Sequence, residues 1–242
     1  TVTATNGQTY NITFSDMQQE NTSSRYKRGI QRKENKTNVR QVDVTELKKS
    51  YDKYSQLDET EEPGIGGDGI MQFASDIGVD PMQVDLLVWF WKMKLTQQYF
   101  ISEKQWLYGM AELGMETISK AKSKLPKLKD ELSNTDSYSD FYSFCFKYMK
   151  EPDQKNLSIE ASTATWKLIM KGKYKYIEDW CTFIETVYKH SITPDLWKQF
   201  LEFTRDPSFK SFETFDLSMA AYPSAVDEWV EYGIKQGLDK KK

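Results

Sequence analysis

The apolar segment at residues 84–93 constrains the fold more than any other stretch of the chain. A helix that is apolar all round has to be buried on most of its sides. The preceding Asp80-Pro81-Met82-Gln83 combines a capping residue, a proline at the first helical position and a glutamine three positions after the cap, which predicts a helix start. We therefore predict a buried helix from residue 80 to about 94 at the centre of the fold. Its apolar residues are Val84, Leu86, Leu87, Val88, Trp89, Phe90, Trp91 and Met93.

Helical spacing of apolar residues begins at about residue 44 and continues along the chain. Thr45 can cap the first helix, a capping box at residues 102–105 opens a later one, and Gly114 ends it. Pro126 is expected to kink or split a helix at 117–132. No alternating strand pattern of useful length is present. The sequence therefore predicts an all-α domain of about ten helices at residues 43–238, with further helices at 139–150, 158–171 and 176–189.

Residues 1–42 have a different composition. Thr, Asn, Gln and Ser dominate the first 24 residues, and no apolar period persists, so we predict a disordered tail. Residues 25–40 then hold seven basic side chains against one acidic side chain. Such a run is typical of a nuclear-import signal or of a weak anion-binding patch, and it is also common in segments that are simply solvated.

The segment at residues 192–232 is both acidic and apolar. It holds eight acidic residues against three basic ones, and its apolar residues recur at helical spacing. Thr193-Pro194 and Pro223 each predict a helix start, so Asp195 and Asp227 fall in or next to first turns, where the helix dipole favours negative charge. Two interpretations follow: core helices with solvated acidic faces, or a docking face for a basic partner.

Composition excludes several classes of protein. A net charge of −3 and a pI of about 5.5 argue against nucleic acid as the main partner. No run approaches the ~18 apolar residues of a membrane span. The two cysteines, Cys145 and Cys181, lie in apolar helical contexts and are predicted to be buried thiols in a reducing compartment.

Catalytic patterns are scarce. The single histidine, His190, follows Cys181 by nine residues, or about 13 Å along a straight helix, which is beyond proton transfer. No metal cluster, glycine-rich phosphate loop or serine elbow is evident in the sequence, so no cofactor is expected. A pair of carboxylates acting as an acid–base site is an alternative that the sequence does not exclude.

Two helix–loop–helix units, at about residues 51–77 and 86–112, have the proportions of EF-hands. A calcium loop needs oxygen ligands at positions 1, 3 and 5, a glycine at position 6 and a bidentate acid at position 12. Anchored on Ile65, the first loop places Pro63 at the glycine position and Gly69 at the last position. Anchored on Ile101, the second loop ends on Gln105. We therefore expect EF-hand-like units that bind no metal.

Several long blocks, in unbroken order from about residue 44 to 232, resemble the defective-in-cullin-neddylation family. They are GIGGDGIMQFASDIGVDP, WKMK with FISEKQWLYGMAELG, DFYSFCFKYMKEPDQKNLSIEASTATWKLIM, and ITPDLWKQFLEF with AAYPSAVDEWVEY. The resemblance implies an all-α potentiating-neddylation domain whose EF-hand-like units bind no metal. It also implies a non-catalytic co-ligase that speeds attachment of a ubiquitin-like modifier to a cullin lysine.

The resemblance further implies two binding sites. Family members bind the C-terminal winged-helix subdomain of a cullin through an acidic patch, whose Asp, Ala and Asp match Asp195, Ala221 and Asp227; Tyr222 stands where Trp is common. They also hold the acetylated N-terminus of the neddylation conjugating enzyme in an apolar pocket. From the residues alone, ordinary core packing explains nearly all the pocket positions. These positions are Ile70, Leu86, Trp89, Phe90, Met93, Gln98, Tyr99, Ile101, Tyr148, Thr165 and Leu168.

On this hypothesis the chain is a scaffold within a cullin–RING ligase complex. Holding the cullin and the charged conjugating enzyme together would raise their effective concentration to roughly millimolar or above. The alternative is a helical EF-hand-like adaptor for another basic partner, or a degenerate calcium sensor. The expected location is the nucleus and the cytoplasm.

Overall fold

The computed structural model describes residues 1–3, 7–13, 18–29, 42–59, 62–216 and 222–240. The chain forms two compact units, Thr1–Gln41 and Val42–Lys242, and each is described separately. No helix among the described residues is long and apolar enough to cross a bilayer.

The described part of the first unit is a small antiparallel sheet. Its strands β1 (Val2–Thr3), β2 (Thr9–Thr13), β3 (Gln18–Asn21) and β4 (Lys27–Gly29) are paired in chain order. These strands lie in the segment for which the sequence predicted a disordered tail. That prediction rested on the scarcity of apolar residues. Thr, Tyr and Ile in β2 nevertheless favour extended backbone. Residues 30–41, which hold the second half of the basic run, lie outside the described residues.

The second unit is mainly helical, which confirms the predicted fold class. Ten α-helices are described, together with a two-stranded sheet formed by β5 (Gly64–Ile65) and β6 (Ile101–Ser102). A 3-10 helix covers Leu125–Ser133, a π-helical turn Ile184–Tyr188 and a 3-10 turn Leu238–Lys240. The α-helices are α1 (Val44–Ser55), α2 (Gly67–Ile77), α3 (Val84–Lys92), α4 (Glu103–Leu113), α5 (Ile118–Lys124), α6 (Thr135–Met149), α7 (Ile159–Ile169), α8 (Ile177–Phe183), α9 (Pro194–Thr204) and α10 (Ser224–Lys235).

Helix α3 is buried as predicted, but it starts later than the sequence indicated. Its central residues from Asp85 to Phe90 are all buried, and Trp89 has no exposed surface. The predicted start at Asp80 is wrong. The Asp80 carboxylate accepts the Met82 amide, at 2.9 Å, and the Asp80 carbonyl accepts the Gln83 amide, at 3.0 Å, so this segment forms a turn.

Several local helix signals are found where the sequence placed them. Ser102 and Gln105 form the capping box of α4, and Gly114 ends this helix at φ 62°. The helix predicted at 117–132 is split next to Pro126, where α5 gives way to the 3-10 helix. The predicted cap of α1 is wrong, because Asp43 rather than Thr45 accepts the Glu46 amide.

Two helix–loop–helix units, α1–α2 and α3–α4, are joined through their loops. Ile65 of β5 pairs with Ile101 of β6, the two residues on which the calcium-loop alignments were anchored. Asp58, in the first loop position, accepts three backbone amides from the start of α2: those of Gly66 at 3.0 Å, Asp68 at 2.9 Å and Gly69 at 2.8 Å. The carboxylate thus supplies acceptors to amides that the helix itself leaves without partners.

A network of buried aromatic side chains fixes α9 against α6 and α7. The Tyr142 hydroxyl donates to the Trp197 carbonyl at 3.0 Å and accepts from the Trp166 indole at 2.7 Å. The Trp197 indole donates back to the Tyr142 carbonyl at 3.0 Å, and it stacks on Trp166 with ring centroids 4.7 Å apart. Because these polar groups are paired inside the core, they hold the three helices in one relative position.

Candidate functional site

Helix α9 presents Asp195 to solvent. Thr193 caps the helix by accepting the Leu196 amide at 3.0 Å, and Pro194 occupies the first turn, as predicted. The opposite side of the helix is buried, with Leu196, Trp197, Phe200, Leu201 and Phe203 in the core. Asp195 makes no ion pair with any described residue and is exposed in the first turn.

Helix α10 packs against α9 and presents three more carboxylates, those of Asp227, Glu228 and Glu231. Its buried side holds Trp229, whose ring meets Trp180 of α8 edge-on at 5.5 Å. Within the described part of the chain, none of the three acids has a basic partner. We call Asp195, Asp227, Glu228 and Glu231 the acidic surface.

Asp227 has a perturbed carboxyl group. Partial burial raises the pKa of Asp227, and the negative charge of Glu231, one turn further along α10, raises it further. A first-turn carboxylate is normally stabilised by the helix dipole. The raised pKa therefore reflects mainly burial, with a smaller contribution from Glu231, and no cation among the described residues pairs with Asp227 to oppose it.

The loop between α9 and α10 is held by two aspartates that the sequence did not single out. Asp206 accepts the Tyr222 hydroxyl at 2.8 Å, while the Tyr222 ring packs edge-on against Phe203 with centroids 5.6 Å apart. Asp239 accepts the Tyr176 hydroxyl at 3.0 Å and the Phe212 amide at 2.9 Å. Asp239 lies one residue beyond the predicted domain end at residue 238. The predicted patch residue Ala221 lies outside the described residues.

The predicted pocket positions lie on α2, α3, β6, α6 and α7 and in the loop after α3. Gln98 and Leu168 are half-buried, and Tyr99 is exposed. The remaining eight positions are buried, and all but Thr165 belong to the main hydrophobic cluster, so most of the set is core in this structure: Ile70, Leu86, Trp89, Phe90, Met93, Ile101, Tyr148 and Thr165. Solvent therefore reaches the set mainly at Gln98, Tyr99 and Leu168.

The aromatic part of this set contains two hydrogen-bond donors without acceptors. Phe90 packs between Trp89 and Tyr148, with ring centroids 5.4 Å from each. The Trp89 indole and the Tyr148 hydroxyl are both buried and make no hydrogen bond to any described residue. Burial raises the pKa of the Tyr148 hydroxyl. The backbone amide of Tyr99 has a smaller, opposite effect on this pKa, but it does not form a well-aligned hydrogen bond with the hydroxyl oxygen.

The loop that joins α3 to β6 has an unusual backbone at both ends. Lys94 and Tyr99 have φ angles of 55° and 53°, in the left-handed region that side chains disfavour. Lys94 directly follows the C-cap of α3, where a glycine is the common choice. Residues held in this region cost about 1–3 kcal/mol each and cluster at ligand-binding segments.

The two thiols and the histidine do not form a catalytic group. Cys145 and Cys181 are buried; desolvation raises the pKa of Cys145 well above its ordinary value and that of Cys181 to about 12. Both thiols therefore stay protonated at neutral pH and are poor nucleophiles. His190 is exposed and packs edge-on against Tyr188, 5.2 Å away. No cluster of three metal-ligating side chains is found among the described residues.

Comparison with known proteins assigns the family. A sequence model described as "Cullin binding" matches residues 120–232. "DCN1-like protein 4" of Drosophila melanogaster is 31% identical over 182 residues, which cover 75% of this chain and 72% of that protein. "Defective in cullin neddylation protein 1" of Yarrowia lipolytica is 30% identical over 202 residues, covering 81% of this chain and 80% of that protein. The chain belongs to the defective-in-cullin-neddylation family.

The family match includes the acidic surface and only part of the predicted pocket. The human "DCN1-like protein 5" is 26% identical over 168 residues, covering 69% of this chain and 70% of that protein. Asp195 and Asp227 lie inside the matched range 120–232, whereas the pocket positions from Ile70 to Ile101 precede it. The matched range thus holds Asp195 and Asp227 of the acidic surface together with the pocket positions Tyr148, Thr165 and Leu168.

Proposed function

We propose that this chain promotes cullin neddylation as a non-catalytic scaffold. It would bind the C-terminal winged-helix subdomain of a cullin together with the acetylated N-terminus of the neddylation conjugating enzyme. Family membership supports the role in cullin neddylation. The observation that carries the proposal is the acidic surface, where Asp195 and Asp227 each occupy the first turn of a helix without a basic partner among the described residues.

The electrostatics of the acidic surface favour a basic partner. A lysine or arginine placed beside Asp227 would oppose the effect of Glu231 and lower the raised pKa of Asp227. Such a contact gains more than one made to a carboxylate that is already paired, since no internal ion pair has to be broken. Complementary charge of this kind also accelerates association and selects against acidic surfaces.

A scaffold role requires no chemistry from this chain. The attacking lysine belongs to the cullin and the thioester to the conjugating enzyme, so the chain contributes by holding them close. The high pKa values of Cys145 and Cys181 support this assignment, because neither thiol is poised to carry the modifier as a thioester.

The predicted pocket suits a neutral peptide end. Its eleven positions include no carboxylate that could pair with a free α-ammonium, and Gln98 makes no hydrogen bond to another described residue. An acetylated end would avoid the cost of burying an unpaired charge. We propose that the end enters near Gln98, Tyr99 and Leu168, the three positions with exposed surface.

We also propose that the chain acts in the nucleus and the cytoplasm. The basic run at residues 25–40 is of the kind that import receptors bind. Imaging a fluorescent fusion with and without the seven basic side chains tests this: retained nuclear signal in the neutralised chain contradicts the import role.

The test of the cullin assignment is a charge reversal. In a pull-down with a purified cullin C-terminal domain, Asp195→Lys and Asp227→Lys should each lower affinity by at least about 30-fold, or about 2 kcal/mol. Asp136→Lys is the control, because Asp136, like Asp195, is an exposed first-turn aspartate and lies on α6. Far-ultraviolet circular dichroism verifies that each variant is folded. Wild-type affinity in both acidic-surface variants refutes the assignment.

A further inference from the structure

One cavity borders the predicted pocket positions at Tyr148. It has a volume of about 510 Å³ and lies between α6 and the C-terminal end of α3 with its following loop. Tyr148 belongs both to the wall of this cavity and to the predicted pocket set. The other lining residues were not assigned from the sequence: Trp91, Lys92, Lys94, Leu95, Thr96, Asp140, Ser143, Phe144 and Lys147.

The walls of the cavity are formed by packed aromatic rings. Phe144 stacks on Tyr148 with centroids 5.2 Å apart and planes 19° apart. Trp91 packs edge-on against Phe141 at 5.6 Å, and its indole donates to the Asp140 carboxylate at 2.9 Å. These contacts fix the rings before any ligand binds, which lowers the entropic cost of binding.

The charged groups of the cavity are unequally satisfied. Lys92 pairs with Glu131 at 2.7 Å and lies over the Trp91 ring, and Asp140 is bonded to the Trp91 indole. Lys94 and Lys147 are exposed and make no ion pair with any described residue. The buried Tyr148 hydroxyl, on the shared wall, also lacks an acceptor. Within the described part of the chain, three lining groups thus lack a partner of opposite charge: the two cations Lys94 and Lys147, and the Asp140 carboxylate, which accepts the neutral Trp91 indole N–H.

The backbone at Lys94 supports a role in binding. Lys94 donates its amide to the Trp91 carbonyl at 3.0 Å and adopts the left-handed conformation that usually requires glycine. A lysine at this position carries a steric cost that glycine would avoid. Lys94 also lines the aromatic cavity, where it supplies a positive charge that glycine could not.

We propose that this cavity is a subsite for an acidic side chain of the bound peptide. The inference rests on the proposed function, because the peptide is the one whose acetylated end would enter the predicted pocket. An aspartate or glutamate carboxylate only accepts hydrogen bonds, and so it complements the ammonium groups of Lys94 and Lys147. The carbon stem of the acidic residue, or an apolar neighbour, would cover Trp91 and Phe144. Because Tyr148 lines the cavity and belongs to the predicted pocket set, one peptide would contact both sites.

The test uses an acetylated peptide with the N-terminal sequence of the neddylation conjugating enzyme. Each position after the first is replaced in turn by Glu and by Gln, and binding is measured by fluorescence anisotropy. At one position, or at two positions one helical turn apart, Glu should bind about fivefold more tightly than Gln. This preference should shrink when salt is raised from about 0.05 M to about 0.3 M, because both lysines are exposed.

Lysine variants connect the preference to the cavity. Lys94→Gln and Lys147→Gln should each lower the Glu-to-Gln ratio, and the double variant should reduce it to about one, with binding of the Gln peptide little changed. Lys122→Gln is the control: Lys122 is exposed on α5, has no ion-pair partner among the described residues and does not line the cavity. It removes the same charge and should leave the ratio unchanged.

The outcomes separate the inference from the function beneath it. Tight binding of the acetylated peptides without any Glu-to-Gln preference overturns the subsite and leaves the proposed function intact. A preference that persists in the Lys94→Gln, Lys147→Gln double variant also overturns it, because the carboxylate then lies elsewhere. If no acetylated peptide binds, the proposed function fails at its second partner, and the subsite fails with it.

Discussion

Replacing Asp58 tests how the first helix–loop–helix unit is held without a metal. Its carboxylate accepts the amides of Gly66, Asp68 and Gly69 at 2.8–3.0 Å, at the N-terminus of α2. A Cβ added at Gly66 would lie 2.6 Å from the carboxylate, so the backbone approaches this side chain closely. Asp58→Ala removes all three acceptors together with a charge that the helix dipole stabilises.

The size of the effect follows from the exposure of the three amides. A hydrogen bond to a charged group is worth about 1.5–3 kcal/mol, but an exposed amide can bond to water instead. The Asp68 amide is in the exposed contact, whereas those of Gly66 and Gly69 are partly buried. Two effective bonds, discounted for partial exposure, and a dipole contribution of about 0.5 kcal/mol give a loss of about 3 kcal/mol. For a chain of this size, the melting temperature should fall by roughly 6–12 °C.

The assay is urea unfolding followed by circular dichroism and tryptophan fluorescence. Asp58→Asn retains one acceptor oxygen but no charge, so we expect about half the loss. Asp68→Ala is the matched control, because Asp68 is exposed in the first turn of the same helix and its removal costs only the dipole contribution. A loss below about 1 kcal/mol for Asp58→Ala, or one equal to that of Asp68→Ala, would refute the reasoning.

Three further predictions concern the partners, the metal and the pH dependence. The acetylated conjugating-enzyme peptide should bind at least tenfold more tightly than its free-amine form. Leu168→Arg should weaken binding of the acetylated peptide while cullin binding is retained. Equal affinity of the two peptide forms would assign the pocket positions to the core alone. Calorimetry with millimolar calcium should give no saturable heat, since Gly69 and Gln105 stand where a bidentate acid is needed, and a midpoint below about 100 μM would revive the calcium-sensor alternative. Asp227→Asn should raise the melting temperature at pH 7, because a raised pKa means that folding disfavours the charged carboxylate. This gain in melting temperature should vanish below about pH 4, where Asp227 is protonated in the unfolded chain too. A gain that persists there contradicts the raised pKa of Asp227.

The sequence by itself determined those elements whose stabilising contacts are local. The capping box at Ser102 and Gln105, the cap at Thr193 and the break beside Pro126 each depend on residues within four positions of one another. The burial of α3 was equally predictable, since a helix without a polar face has no stable exposed arrangement. The long blocks of family resemblance also came from the sequence, and the comparisons confirm the family.

The tertiary structure decided where distant residues meet. Asp80 was expected to begin α3, but its contacts with Met82 and Gln83 form a turn. The Asp-Pro-x-Gln pattern is therefore compatible with a turn as well as with a helix start. Asp58 reaches amides eight to eleven residues away, and Tyr142 bonds to Trp197, 55 residues further along the chain. Spacing along the sequence carries no information about such partners. Only the packing of α3 against α6 could show that Lys94 and Lys147 border one aromatic cavity, because each lysine alone is typical of a solvated surface.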